Sequence, residues 1–120
     1  MKLEEEVKRF MENKNKSMIT ANTYQIEAKK TAIFPATKAL EYLSLGLVGE
    51  AGEVANKVKK IIRDKKIDVD IANEIGDVLW YCAMLADYLD VNLGKIMEDI
   101  INKLQSRKER GVLGGSGDNR

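Results

Sequence analysis

Apolar residues in this chain recur at steps of three, four and seven, and seldom at steps of two. That periodicity predicts helices rather than half-buried strands. Four main helices are expected, with a short one ahead of them. In the short segment, residues 3 to 12, Leu3, Val7, Phe10 and Met11 fall on one side before the polar run ENKNKS breaks the pattern. The first main helix begins with Thr20 as N-cap, with Ile19 and Tyr24 at the spacing of a hydrophobic staple. It is expected to run to about Ile33, because Pro35 disfavours helical geometry in the residue before it. The second runs from about Ala36 to Arg63 along the stripe Leu40, Leu43, Leu47, Val54, Val58 and Ile61. DKKIDVD connects it to a third, capped by Asp70, whose stripe is Ile71, Ile75, Val78, Cys82, Leu85 and Leu89. Asn92 is placed to cap the fourth, with Val91 and Ile96 again at staple spacing. That helix continues through Ile100, Ile101 and Leu104 towards Arg110, where Gly111 stops it. Short connections between the last three helices favour antiparallel neighbours, so the fold expected is all-α and four-helix-bundle-like. Residues 1–17 form an N-terminal extension, 18–110 the helical domain and 111–120 a glycine-rich tail.

Composition narrows the chemistry. A chain of 120 residues is most simply one domain, and 44% apolar with 32% charged residues is ordinary for a soluble protein. A net charge of +1 provides no global field to attract nucleic acid or acidic membranes. No apolar run is long enough to span a bilayer, and the acidic start MKLEEEVKRF lacks the apolar segment of a signal peptide. The one cysteine, Cys82, has no partner for an internal disulfide, falls on a core stripe and fits a reducing cytoplasm. Histidine is absent. That excludes Ser-His and Cys-His nucleophile pairs, His-ligated zinc and the Glu-x-x-His di-iron motif.

The stretch GLVGEAGEV, residues 46 to 54, carries three glycines inside an expected helix. Each weakens it by about 1 kcal/mol relative to alanine. At about 100° per residue, Glu50 and Glu53 lie along one flank of the second helix's stripe, extended by Lys57 and Lys60. Glu74 and Asp77 flank the stripe of the third helix, with Tyr81 and Tyr88 further along. Pairing the two apolar faces brings four carboxylates towards one seam. Two like charges about 5 Å apart repel by roughly 3 kcal/mol at an effective dielectric near 20. Several such pairs are a heavy load for a marginally stable domain, and a divalent cation removes it. Oxygen-only ligands suit Mg²⁺ or Mn²⁺. The plainer alternative is that these acids are solvated boundary residues, as a single ExxE or ExxD usually is. Gly46, Gly49, Gly52 and Gly76 fit either close helix packing or room for a bound ligand.

GEAGE followed by NEIGD resembles the ExxE…ExxD arrangement of the MazG-like nucleotide pyrophosphohydrolases, within the all-α NTP pyrophosphatase superfamily. TYQIEAKKTAIFP, LGLVGEAGEVANKVKKIIRD, EIGDVLWYCAMLA and RGVLGGSGDNR are similar to blocks of one branch, so the resemblance runs from about residue 20 to 120. It implies hydrolysis of a nucleoside triphosphate between the α- and β-phosphates, yielding a monophosphate and pyrophosphate. By position, Glu50, Glu53, Glu74 and Asp77 match the family's metal-binding acids, with Mg²⁺ (or Mn²⁺) as cofactor and Glu50 or Glu53 as the carboxylate that activates water. The chemistry agrees, since triphosphate charge must be neutralised before attack. Lys57 and Lys60 are candidate phosphate contacts, equally well read as solvated lysines. Lys103, Arg107 and Arg110 are the others; Lys103 matches a lysine common in the family, while Ile100 stands where relatives often have asparagine. Tyr81 is placed to stack on a base. Trp80 is expected to point away, into the core or a subunit interface. The tail is expected to act as a lid over bound phosphates, with Arg120 or backbone amides contributing. The resemblance also implies a homo-oligomer, dimer or tetramer, with sites near subunit interfaces. No nucleic-acid or membrane partner is expected. The alternatives are a dUTP- or phosphoribosyl-ATP-specific relative, and a non-catalytic helical interaction module that keeps the acids as a structural ion site.

Overall fold

A computed structural model describes residues 2–12, 17–67 and 70–120, apart from the side chains of Phe10 and Met11. The polar break at 13–16 and the middle of the DKKIDVD connector therefore lie outside the described residues, as does the apolar contribution expected of Phe10 and Met11. The chain is all-helical: α1 (Leu3–Glu12), α2 (Ala21–Lys29), a 3₁₀ turn (Ala36–Lys38), α3 (Ala39–Asp64), α4 (Ile71–Tyr88) and α5 (Leu93–Glu109). Among the described residues there is no strand.

The helices gather about α4, which packs against α2, α3 and α5; α2 also meets α5. α3 packs on α4 and on its own 3₁₀ turn, not on α2 or α5. Among the described residues α1 packs on no other helix. The core sits towards the C-terminal half of α4, where Ala28, Leu43, Ala83 and Met84 are buried and Tyr24, Phe34, Trp80, Leu85 and Leu93 close around them. Away from it the predicted stripes stay open: Leu40 and Val58 of α3, Ile75 of α4 and Leu89 just past its end are all exposed. The radius of gyration is 17.4 Å, against roughly 13–14 Å for a compact chain of this length.

Helix ends show where local signals sufficed and where they did not. Thr20 caps α2 as expected: its Oγ1 accepts from the Thr23 N–H, and the Thr23 Oγ1 accepts from the Thr20 N–H, a reciprocal capping box. Ile19, however, is exposed. α2 stops at Lys29 rather than near Ile33, because the backbone tightens into i→i+3 bonds at Thr31 and Ala32 and the Thr31 hydroxyl donates to the Ala28 carbonyl. The segment thus released carries Phe34 to stack on Tyr42 at 5.6 Å. Asp70 and Asn92 occupy the predicted cap positions without side-chain cap bonds. Asp70 instead lies 3.9 Å from Lys57.

The start of α5 is capped from α2. Gln25 Oε1 accepts from the Leu93 N–H at 2.9 Å and Asn22 Oδ1 from the Gly94 N–H at 3.0 Å. The Gln25 Nε2 donates to the carbonyls of Ala83 and Val91. Gln25 is buried, so an amide that would be destabilising if unpaired instead ties three helices together. Gly94 is glycine for a related reason: a Cβ there would lie 2.9 Å from Asn22 Oδ1.

Gly111 ends α5 as expected, with φ +71° and the Val112 N–H bonded to the Arg107 carbonyl. The tail then folds back on the helix end. The Arg120 guanidinium donates to the carbonyls of Val112, Leu113, Gly114 and Gly117, and Arg110 Nη2 donates to the Arg120 carbonyl. Any lid motion of the tail would have to break this set of bonds.

Candidate active site

α3 delivers Glu50 and α4 delivers Glu74 and Asp77, one turn apart, to the seam between the two helices. One carboxylate oxygen from each of the three lies within 4.8 Å of the other two. Glu50 and Glu74 are half-buried and Asp77 is exposed. The Glu50 carboxyl titrates above the ordinary carboxylate range, first because it is partly withdrawn from water, then because Asp77, Glu74 and Glu53 face it with like charge, and because it hydrogen-bonds Glu74. Among the described residues no lysine or arginine forms an ion pair with any of the three. Charge is thus concentrated at a point where the described residues supply no ion-paired counter-charge. An all-carboxylate donor set of this kind fits a hard divalent cation, and three groups leave coordination positions for water and a ligand.

The fourth predicted acid does not join the group. Glu53 is exposed and stands one turn beyond Glu50, near enough for its charge to raise the Glu50 pKa but outside the three converging carboxylates. A step of three does not by itself decide this, since Glu74 and Asp77 are also three apart and both converge; what differs is where α3 lies against α4, which leaves Glu50 at the seam and Glu53 exposed.

The basic candidates scatter. Lys57 is half-buried and its ammonium is directed at Asp70 across the α3–α4 seam. Lys60 is exposed on α3, where its charge acts on Asp64. Lys103 is exposed on α5, a helix that does not pack on α3. Arg107, expected as a phosphate contact, is enclosed by the protein itself. It is only 6% exposed, and its Nη2 donates to the Asp118 carbonyl at 2.7 Å, so the folded tail covers it. Arg110 is likewise engaged, by Ser106 Oγ and the Arg120 carbonyl.

Beside the acids lies a cavity of about 340 Å³ lined by Glu50, Asp77, Tyr81, Trp80, Tyr42, Thr31 and Ile33. Tyr81 is therefore where the sequence placed it, on the acid flank. Its hydroxyl is held above the ordinary phenol range by burial, then by Tyr42, Glu50 and Asp77, with a side-chain hydrogen bond to Tyr42. Trp80 packs against the core as expected, but it does not point away from the acid flank: it lines the same cavity, its indole N–H donates to Thr31 Oγ1 at 2.8 Å and its ring meets Tyr81 edge-on at 5.0 Å. The early end of α2 contributes to this, since it leaves Thr31 free of the helix and within reach of Trp80 on α4. Tyr24 was also missed as a neighbour of the site; burial first, then Cys82 and Asp77, raise its pKa. Tyr42 had a legible signal: Tyr42, Gly46 and Glu50 follow at steps of four along one face of α3. Thr31 and Ile33 had none, because they belong to an irregular segment.

A family model described as the MazG nucleotide pyrophosphohydrolase domain matches residues 38–112, which takes in α3, α4 and α5 with every acid discussed above. The chain is also similar to the Gene 37 protein of Mycobacterium phage L5, 53% identical over 109 residues that cover 81% of this chain and 96% of that protein. No solved structure matches the chain.

Proposed function

This chain belongs to the MazG nucleotide pyrophosphohydrolase family, and from that premise we propose that it hydrolyses nucleoside triphosphates between the α- and β-phosphates, releasing a nucleoside monophosphate and pyrophosphate. The observation that carries the reading is the convergence of Glu50, Glu74 and Asp77 without a protein counter-charge among the described residues. These three would hold Mg²⁺ or Mn²⁺. When bound, such an ion neutralises triphosphate oxygens and stabilises the charge that develops during phosphoryl transfer.

The chain's own residues supply the rest. Glu53, one turn on and outside the converging group, is the carboxylate left to orient a water and accept its proton as the oxygen attacks phosphorus. The bond to the pyrophosphate group breaks in the same displacement, so no covalent enzyme intermediate is required. Tyr81 and Trp80 wall the adjoining cavity, where an aromatic base has rings to pack against. Lys60, exposed on the helix that carries Glu50 and Glu53, is the lysine assigned to the phosphates.

The active form is a homo-oligomer. Leu45, Val48 and Ile62 of α3 are each more than 70% exposed, and α5 leaves Ile96, Met97, Ile100, Ile101 and Leu104 uncovered. Apolar surface on this scale, in a chain this open, calls for a partner, and a second copy of the same chain is the simplest one. Among the described residues no helix is long and apolar enough to cross a membrane.

The test is a panel of common and damaged nucleoside triphosphates with Mg²⁺ or Mn²⁺, scored for monophosphate and pyrophosphate, with light scattering to give the assembly size. Release of pyrophosphate from at least one nucleotide is expected. Metal-dependent thermal stabilisation with no turnover on any substrate would instead make the acids a structural ion site.

A further inference from the structure

α3 carries three glycines beside its acids, but only one has a neighbour in the space a side chain would take. A Cβ on Gly46 would lie 2.1 Å from Cε1, 2.4 Å from Cζ and 2.7 Å from Cδ1 of Tyr81, which is inside the contact radius of the ring. Unstrained carbon contacts lie at about 3.5–4.0 Å. At Gly49, Gly52 and Gly76 nothing lies within 4 Å. The Tyr81 ring therefore rests directly on the backbone of α3 at residue 46.

We propose that Gly46 is a positioning residue: its missing side chain is what lets the Tyr81 ring cross α3 and form the cavity wall beside Glu50 and Asp77. Every other contact of the ring depends on that seat. Its edge meets Trp80 at 5.0 Å, and it shares the cavity lining with Tyr42. Gly46 lies one turn from Tyr42 on one side and one turn from Glu50 on the other, so it is the point on α3 nearest both the hydroxyl partner and the acids. A methyl group here cannot be absorbed by a small adjustment. Relieving the clash moves the ring atoms by more than an ångström, which lifts the ring off its seat on α3 and reshapes the cavity wall. This inference rests on the functional reading above only in taking that wall as the surface that receives the base.

Four proteins decide it: the parent, Gly46→Ala, Tyr81→Ala and the double variant. Alanine normally strengthens a helix at a glycine position. In the parent, Gly46→Ala is expected to lower the melting temperature, and in the Tyr81→Ala background to raise it, a reversal of sign. Trp80 is the only tryptophan in the chain, so its fluorescence and near-ultraviolet dichroism report the position of the neighbouring ring. Both are expected to change in Gly46→Ala as they do in Tyr81→Ala. With a hydrolysed nucleotide, Gly46→Ala is expected to raise KM about tenfold while kcat stays within about threefold, the pattern of lost uniform binding. A Gly46→Ala protein that fails to fold while the double variant folds supports the clash equally. Stabilisation in both backgrounds with an unaltered Trp80 signal would overturn the proposal, and an unchanged KM beside the reversal would overturn its part in binding. If no nucleotide is hydrolysed, the functional reading falls, whereas the melting reversal still decides the seat of Tyr81.

Discussion

At the α3–α4 seam, Glu50, Glu74 and Asp77 face one another with like charge and no ion pair among the described residues; at the end of α5, Arg107, Arg110 and Arg120 are bonded to tail carbonyls. Both regions concentrate charge of one sign, and both fall in sequence blocks that resemble the same family. The difference lies in what the chain does with the charge. Carbonyl oxygens accept from all three guanidinium groups, although the buried Arg107 Nε finds no partner, and the arginines so order a tail that has glycine at three positive-φ positions and no regular structure. No cation among the described residues pairs with the acids, and the raised Glu50 pKa records the conflict. Satisfied charge builds structure, and unsatisfied charge that a fold nevertheless maintains marks a place for something from outside.

Four experiments break or sharpen that contrast. Asp77→Asn is expected to reduce pyrophosphate release by on the order of 10³-fold with Mg²⁺, yet to melt higher than the parent in EDTA, because one repelling charge has gone. A lower melting temperature in EDTA would mean that the acids are structural after all. Glu53→Gln is expected to lower kcat by about 10²-fold while keeping the parent's Mg²⁺-induced rise in melting temperature, which separates water activation from ion binding. Arg107→Ala is expected to destabilise the protein by about 2 kcal/mol in urea titrations and to open the tail to proteolysis. A raised KM with unchanged stability would break the comparison by returning Arg107 to the substrate.

The smallest effect is that of pH. The folded-state pKa of Glu50 lies above its unfolded value, so the stability linked to its protonated form is present in acid and lost as pH rises through the folded pKa. The metal-free protein is therefore expected to melt slightly lower at neutrality than on the acid side of that titration, and Mg²⁺ is expected to abolish the difference in thermal scans.

Much of the scaffold was legible. Helical periodicity located the elements to within a few residues, Gly111 and Thr20 ended and started helices as their chemistry requires, and ExxE and ExxD on adjacent stripes placed acids at one seam. Other features were not. Asn92 and Asp70 looked like caps because they stand before helices, but Gln25 and Asn22 cap α5 from 68 and 72 residues away. Trp80 was placed away from the acid flank on angular position alone, which is silent about where an irregular segment such as 30–35 will lie. Arg107 looked like its neighbours on α5 until the tail folded over it.

The sequence by itself determined the helices, their apolar faces and the residue types at the seam, because these follow from local periodicity and the chemistry of each side chain. Only the tertiary structure decided that Glu50, Glu74 and Asp77 converge while Glu53 stands apart, that Trp80 joins the cavity, and that Gly46 alone among the glycines of α3 has Tyr81 resting on it. Those outcomes depend on distances between elements remote in the chain, set by how whole helices pack, and no local pattern carries that information.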